Sequence, residues 1–302
     1  MTLQQLNSRF GIGSQLRFVE DASGLIIAEI ENTKATARLC LQGAHLMSWQ
    51  PRCASVPMVW WSTAGRLAQG KSPHGGAPVC WPWFGVHATD SSLPAHGFAR
   101  ISPWQVVESG TEADGATRLT LQLMDNPQWH AQWPRGSVLK LTMMIGDTLK
   151  MQLATSNTGK EAFVIGEALH TYLQISDIEK IKVTGLANTE YRDKVEQFAR
   201  KHQSGDLTFS GETDRVYVNT ETACSIEDPG LKRRILISKS GSQSTVVWTP
   251  WADKAAQMGD LGANEGWRTM LCVEPVNAAD NLVTVAPGET HVLGVEYSSS
   301  TL

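Results

Sequence analysis

Apolar and polar residues alternate strictly in several short segments of the chain, which is the pattern of a strand with one buried face. The clearest alternation covers residues 35–41, 118–123, 139–143 and 149–153. Gly146-Asp147 lies between the last two segments and has the residue types of a tight two-residue hairpin loop. These segments are predicted strands, and the last two are predicted to form a hairpin.

Weaker strand signals continue to the end of the chain. They cover residues 25–30, 58–61, 168–173, 181–183, 215–218, 234–239, 245–248, 270–274 and 291–297. Helical periodicity is limited to two weak segments, at residues 194–202 and 252–258. Many short strands separated by Gly, Asn, Asp and Ser turns predict an all-β sandwich or barrel. No linker or repeat divides the sequence, so we expect one domain over residues 1–302.

The composition narrows the class of protein. A formal charge of −4 is too small to indicate a nucleic-acid or membrane surface. The five cysteines are scattered, with no C-x-x-C pair, which favours a reducing compartment and argues against a zinc site. The first residues lack an apolar signal core, and no stretch could span a membrane. We therefore expect a cytoplasmic protein, monomeric or weakly oligomeric, whose partner is a small molecule.

Residues 70–100 differ from the rest of the chain. The segment is rich in proline and glycine, shows little alternation, and carries Lys71, His74, His96 and Arg100. A long irregular stretch in a strand-rich domain is more often functional than structural. The eleven tryptophans of the chain can be interpreted in two ways, as residues of the hydrophobic core or as surfaces that stack on sugar rings.

Two polar residues lie in predicted strands. His170 occurs within residues 168–173, where a lone histidine is more often a satisfied core residue than a catalytic group. Glu274 ends an almost wholly apolar strand, and a buried carboxylate needs a partner or a raised pKa. Pro275 is expected to end the pairing of that strand and leave Glu274 at a sheet margin. This position suits a base that faces a cavity.

Two strings carry a resemblance to a known family: His-Gly-Gly-Ala-Pro-Val-Cys-Trp-Pro-Trp-Phe-Gly at residues 74–85 and Leu-Pro-Ala-His-Gly-Phe-Ala-Arg at residues 93–100. Gly43-Ala44-His45 precedes them, and Ala-Leu-His-Thr-Tyr at 168–172 and Val273-Glu274 follow. In order and spacing this chain resembles the hexose-6-phosphate mutarotase branch of the aldose 1-epimerases, from about Gly43 to Glu274.

The resemblance implies a galactose-mutarotase-like β-supersandwich of antiparallel sheets with few short helices and an open cleft. It implies no metal and no cofactor. The acid/base pair of the family would correspond to His170 and Glu274. Substrate-binding groups would correspond to His74, His96, Arg100 and Asp193. Beside these, we expect Lys71 and Arg100, with His74 if it is protonated, to hold a 6-phosphate. Trp81, Trp83 or Phe98 would line the cleft.

One departure bears on the substrate. Relatives in the sugar-phosphate branch generally carry Arg where this chain has His74, and some carry Gln where it has Ala95. Arginine can hold a phosphate with a bidentate fork, whereas a neutral histidine cannot. Two alternatives therefore stay open, a neutral aldose 1-epimerase and a noncatalytic sugar-binding protein of the same fold. The presence of both His170 and Glu274 argues against the second.

Mutarotation opens a hemiacetal ring, rotates about C1–C2 and closes the ring again. It needs a base for the C1 hydroxyl and an acid for the ring oxygen. We expect Glu274 to act as the base and His170 as the acid. This scheme requires a protonated His170 beside an ionised Glu274, and a neighbouring carboxylate is expected to raise the histidine pKa.

Overall fold

The computed structural model describes every residue from Met1 to Leu302. Three short α-helices are present: α1 (Leu3–Phe10), α2 (Pro127–His130) and α3 (Trp251–Gln257). Four 3₁₀ turns occupy Gln42–Ala44, Ala99–Ile101, Ala263–Thr269 and Ala279–Asn281. None of the helices is both long and apolar enough to cross a membrane.

Strands supply most of the regular structure. The first eleven are β1 (Leu16–Glu20), β2 (Ile26–Glu31), β3 (Ala35–Cys40), β4 (His45–Pro51), β5 (Val79–Cys80), β6 (Trp104–Thr111), β7 (Thr117–Leu123), β8 (Ser137–Ile145), β9 (Leu149–Asn157), β10 (Phe163–Ile165) and β11 (Glu167–Leu169). The others are β12 (Tyr172–Gln174), β13 (Lys182–Thr184), β14 (Glu190–Asp193), β15 (Ala199–His202), β16 (Thr213–Tyr217), β17 (Cys224–Asp228), β18 (Arg233–Ser240), β19 (Ser244–Thr249), β20 (Met270–Asn277), β21 (Val283–Val285) and β22 (Thr290–Thr301).

Two eight-stranded antiparallel sheets form the body of the protein. The front sheet has the order β15-β14-β16-β19-β20-β11-β5, with β12 also paired to β20. The back sheet has the order β13-β17-β18-β22-β9-β8-β7-β6. Strands β1 to β4 form a separate four-stranded sheet, and β10 pairs with β21. The predicted all-β fold of antiparallel sheets with few helices is confirmed.

A continuous hydrophobic core of 70 buried residues draws on both large sheets. Strand β20 of the front sheet contacts β18 and β22 of the back sheet. The back-sheet strands β8 and β9 alternate between buried and more exposed residues, as their sequences predict. Burial on this scale supplies most of the stability of a β-sandwich and gives the front sheet a rigid support.

Several predicted elements are confirmed, and others are wrong. The segment at 252–258 forms α3, and β8 and β9 form the predicted hairpin, although three residues separate the strands instead of two. The segment at 194–202 is not a helix, because Gln197 and Phe198 adopt positive φ angles and the chain turns into β15. The segment at 58–61 makes only isolated bridges, Val59 with Leu173 and Trp61 with Gly75.

Strand β20 does not end at Pro275. It continues to Asn277 and pairs with β19 from Cys272 to Val276. On its other side, β12 reaches only as far as Cys272, and β11 begins its pairing at Val276. A proline is tolerated because the residues around it have a neighbouring strand on one side only. Glu274 therefore lies in the middle of the front sheet and not at its margin.

The N-terminal helix α1 has no counterpart in the sequence prediction. Its first turn forms a capping box, in which the Thr2 hydroxyl accepts from the Gln5 backbone and the Gln5 side chain accepts from the Thr2 backbone. Leu6 and Phe10, one turn apart, face the core. The Thr-x-x-Gln spacing at the start of the chain is the signal that could have predicted this helix.

A buried polar network joins the two large sheets. The carboxylate of Glu167, on β11, is fully buried and lies 3.0 Å from Nε2 of His291 on β22. Asn277 Nδ2 donates to the same carboxylate at 3.0 Å. The hydrogen bond from His291 to Glu167, opposed by partial burial, raises the pKa of His291. Protonated His291 thus compensates a buried negative charge.

This network predicts a pH-dependent stability. A histidine whose folded-state pKa is raised stabilises the protein fully below its unfolded pKa, about 6.5, and this contribution is lost as the pH rises through the folded value. In urea unfolding, the stability difference between the wild type and His291→Gln should shrink as the pH rises above neutrality. His130→Gln is the control, because His130 forms an exposed pair with Asp125 and should show little difference at any pH. A difference for His291→Gln that stays constant with pH contradicts the assignment.

Candidate active site

A row of side chains crosses one face of the front sheet. Asp214 lies opposite Trp248, Trp248 opposite Cys272, and Cys272 opposite Tyr172, on four adjacent strands. The backbone N–H of Lys194 bonds to the carbonyl of Asp214, which extends the row by one residue. Directly opposed residues of an antiparallel sheet point to the same side. The sheet register therefore places these polar and aromatic groups on one surface.

Glu274 and His170 meet on that surface. Glu274 lies two residues after Cys272 on β20 and so shares its face. His170 falls in the break between β11 and β12, where its backbone N–H bonds to the Pro78 carbonyl. The His170 Nδ1 atom lies 3.5 Å from the Glu274 Oε1 atom. The structure thus brings together the two residues for which acid/base roles are predicted.

The pair is buried but not satisfied. Glu274 is 0% exposed and His170 8%. His170 Nδ1 and both carboxylate oxygens of Glu274 have no hydrogen-bond partner in the protein, and the separation of 3.5 Å lies outside normal hydrogen-bond geometry. Buried polar atoms without partners are rare and often mark functional sites. The hydrogen-bonding capacity of these atoms is therefore not used within the protein.

Burial controls the charge state of this pair. It raises the pKa of Glu274 well above its usual value; nearby Asp214 adds to the shift and Lys194 opposes it. It lowers the pKa of His170 well below its usual value, and His96 and Arg100 add to that shift. The expected rise in the histidine pKa is wrong, because loss of hydration outweighs attraction to a carboxylate that is not hydrogen-bonded. In the unliganded protein both groups favour their neutral forms.

His96 and Arg100 border the pair. The rings of His96 and His170 are 5.6 Å apart. Burial, aided by the charges of Arg100 and Lys194, lowers the pKa of His96 to about 3. The Gly85 backbone N–H donates to His96 Nδ1 at 3.3 Å, so the neutral ring carries its proton on Nε2 and can donate from there. Arg100 donates to the Ala95 carbonyl at 2.9 Å and pairs with no carboxylate.

His74 is held by a carboxylate that the sequence analysis did not identify. One oxygen of Asp260 lies 2.5 Å from His74 Nδ1, and the other accepts from the His74 backbone N–H at 3.0 Å. The His74 ring meets the edge of Tyr172 at 6.5 Å, and Tyr172 stacks on His170 at 5.0 Å. His74 therefore belongs to the site, but as half of an ion pair with Asp260 when it is protonated.

Lys71 and Asp193 do not join the cluster. Lys71 is exposed; its backbone N–H donates to the Ala68 carbonyl, and its carbonyl accepts from the Gln42 side chain. Asp193 precedes Lys194 by one residue, so it points to the opposite face of the sheet, where it pairs with Lys201 at 3.0 Å.

The expected aromatic lining is also different. Trp81 and Phe98 are buried and pack against each other, and Trp83 contacts Phe98. The rings beside His170 are instead those of Tyr172 and Trp248, at 5.0 and 5.8 Å. Strand register, which sequence alone does not reveal, decides this difference.

Comparisons with known proteins identify the family of this chain. The family model for aldose 1-epimerase matches residues 27–298, nearly the whole chain. The chain belongs to the aldose 1-epimerase family. The resemblance drawn from the two sequence strings, and the expectation of an isomerase family, are confirmed.

Relatives in the same family are similar over most of their length. A protein of Escherichia coli K12 named putative glucose-6-phosphate 1-epimerase is 35% identical over 262 residues, which cover 86% of this chain and 85% of the relative. A protein of Cenchrus ciliaris with the same name is 30% identical, over 84% of this chain and 78% of the relative. A crystal structure of a putative mutarotase from Salmonella typhimurium has a TM-score of 0.87 at 30% identity and covers 96% of this chain and 95% of its own.

Gly76 provides a test of how the site is built. Its φ is +71°, and an added Cβ would lie 2.3 Å from the Leu46 carbonyl oxygen and 2.5 Å from His45 Nε2. Gly76→Ala should therefore destabilise the protein by roughly 2 to 5 kcal/mol, since left-handed backbone strain adds to overpacking. Gly70→Ala is the matched control: Gly70 has a φ of +67° with open space around it, so only the backbone cost of roughly 1 to 2 kcal/mol applies. Equal losses of unfolding free energy for Gly76→Ala and Gly70→Ala, measured in urea, would contradict this explanation.

Proposed function

We propose that this protein interconverts the α and β anomers of a hexose 6-phosphate, with His170 and Glu274 as the acid/base pair. The observation that carries the proposal is the buried pair itself, whose polar atoms lack partners and lie among hydrogen-bonding groups on one face of the front sheet. A family of sugar-ring isomerases supplies the reaction class.

Ring opening requires two proton transfers at atoms of one sugar. The C1 hydroxyl loses a proton to Glu274, and the ring oxygen gains one from His170. The C1–O5 bond breaks and an open-chain aldehyde forms. After rotation about C1–C2 the ring closes on the other face of the carbonyl, and both protons return. Each positioned proton transfer typically contributes about 10²- to 10⁴-fold.

The charge state of the free pair fits this cycle if the pair holds one proton in total. In the unliganded protein burial keeps that proton on Glu274. Sugar hydroxyls that donate to the carboxylate stabilise its ionised form, and His170 then takes up the proton as the acid. The substrate thereby supplies the hydrogen bonds that the protein leaves open.

Arg100 is the group that we assign to the 6-phosphate. Its guanidinium has one bond to a backbone carbonyl and no carboxylate partner. Lys194, by contrast, pairs with Asp214 at 2.8 Å. The relatives named as glucose-6-phosphate 1-epimerases support a phosphorylated sugar. We assign sugar hydroxyl binding to His96 and to Asp214, whose Oδ1 atom is buried without a partner, in place of Asp193.

One observation favours a second candidate, a neutral aldose 1-epimerase. Asp260 balances the charge of a protonated His74 and would repel a phosphate at that end of the site. A noncatalytic sugar-binding protein would not need both His170 and Glu274. No metal or cofactor takes part in the proposed chemistry, and a cytoplasmic location and a monomeric or weakly oligomeric state remain predictions from the sequence.

The catalytic pair is tested by substitution. Glu274→Gln and His170→Asn should each lower the anomer exchange rate by at least about 10²-fold, because each removes one proton transfer. The double variant should lose less than the product of the two, since groups that act as a unit are not additive. Glu296→Gln, at an exposed carboxylate paired with Lys150, is the control. Exchange NMR on the sugar phosphate measures the rates, and wild-type rates in Glu274→Gln would exclude it as the base.

The phosphate contact has its own test. Arg100→Ala should weaken sugar phosphates about ten- to a hundred-fold, as expected for loss of a charge-assisted hydrogen bond, and should hardly affect neutral sugars. Lys71→Ala removes an equal charge from an exposed position and should change neither class of sugar by more than about twofold. Steady-state constants for glucose and glucose 6-phosphate give the comparison. Equal effects of Arg100→Ala on both sugars would promote the neutral-aldose candidate.

A further inference from the structure

A third potential ligand lies beside the catalytic pair. Cys272 precedes Glu274 by two residues on β20, so both side chains project from the same face. The Cys272 sulfur, a nitrogen of His170 and a carboxylate oxygen of Glu274 all lie within 4.8 Å of one another. The proposed isomerase chemistry gives Cys272 no role, although it is fully buried at the centre of the site.

These three atoms match the preferences of one class of ligand. Thiolate sulfur, imidazole nitrogen and carboxylate oxygen are the donors that bind Zn²⁺ in proteins, and at tetrahedral zinc they are separated by roughly 3.3 to 3.8 Å. His170 Nδ1 and Glu274 Oε1 are already 3.5 Å apart. No separation in the cluster exceeds 4.8 Å, so the donors are at most roughly 1 to 1.5 Å too far apart for a tetrahedral ion, a distance that side-chain rotation can supply.

The protein leaves these donors free. Neither His170 Nδ1 nor either oxygen of Glu274 has a hydrogen-bond partner, so a cation would break no existing bond. A thiolate and a carboxylate together balance the charge of a divalent ion. Lys194, whose charge acts on the Glu274 carboxylate, is compensated by Asp214 at 2.8 Å.

From this cluster we infer that His170, Cys272 and Glu274 form an inhibitory site for a borderline or soft divalent cation, with Zn²⁺ as the physiological ion. The ion takes the two side chains on which ring opening depends, so metal and sugar exclude each other. Binding of the metal stands on the geometry alone, whereas inhibition rests on the proposed function.

Binding is measured first, without sugar. Metal-free protein is titrated with Cd²⁺, whose bond to a thiolate gives an ultraviolet charge-transfer band, and Zn²⁺ is then used to displace it. All variants carry Cys53→Ser, because Cys53 is exposed and its thiol would bind Cd²⁺ by itself. We expect one ion per chain. Cys272→Ser and Cys272→Ala should each weaken binding by about 100-fold or more, since loss of even an outer-shell partner costs 10- to 100-fold.

Cys40→Ser is the matched control, because Cys40 is an equally buried thiol in the four-stranded sheet. It should keep the band and the affinity of the parent. Absence of a one-to-one complex, or a band that persists in both Cys272 variants, overturns the site. Two Cys272 variants of different polarity are used so that a folding defect in one does not decide the result.

Inhibition is measured second, on the anomer exchange of the sugar substrate. Zn²⁺ should raise the apparent KM without lowering kcat, and EDTA should restore the metal-free rate. For each Cys272 variant, inhibition is measured relative to its own metal-free rate. The Zn²⁺ concentration that gives half inhibition should rise by the same factor by which the variant loses affinity for Cd²⁺. Inhibition that saturating sugar does not relieve overturns mutual exclusion. Failure of the proposed function would appear differently, as metal binding with no exchange activity to inhibit.

Discussion

The central constraint on this structure is a carboxylate placed in the middle of a buried sheet without a hydrogen-bond partner. Glu274 lies on a strand that is buried along its whole length, and His170 lies beside it in the interruption between β11 and β12. β11 and β12 pair with β20 in the same register, Ala168 with Val276 and Tyr172 with Cys272, so residue 170 is the one set opposite Glu274. The strand register, the buried carboxylate and the proposed chemistry therefore depend on one another.

The electrostatics follow from the same constraint. Burial moves the pKa of Glu274 up and that of His170 down, so the pair favours its neutral forms until a ligand supplies hydrogen bonds. The energetic cost of these open groups is tolerated because the front sheet rests on a large apolar core shared with the back sheet. The stability of the apolar core thus allows His170 and Glu274 to remain without hydrogen-bond partners.

Much of the account was accessible from sequence. Alternation predicted the β architecture, and the two strings in the irregular segment, with the shorter matches around them, predicted the family. The register of pairing between strands could not be predicted from the sequence. Nothing local in the sequence shows that Lys194 and not Asp193 faces the site, or that Asp214 and Tyr172 lie in line with Cys272, because these relations depend on pairing between distant strands. Nor does the sequence show that Asp260, 186 residues from His74, would meet it.

The central claim is that the buried pair opens and closes the ring of a sugar phosphate. The most direct measurement is anomer exchange NMR on glucose, galactose and their 6-phosphates with one preparation of the wild-type protein. The account predicts that α and β signals exchange at a rate proportional to protein concentration, with the highest kcat/KM for a 6-phosphate. Binding of all four sugars without any acceleration of exchange would contradict it.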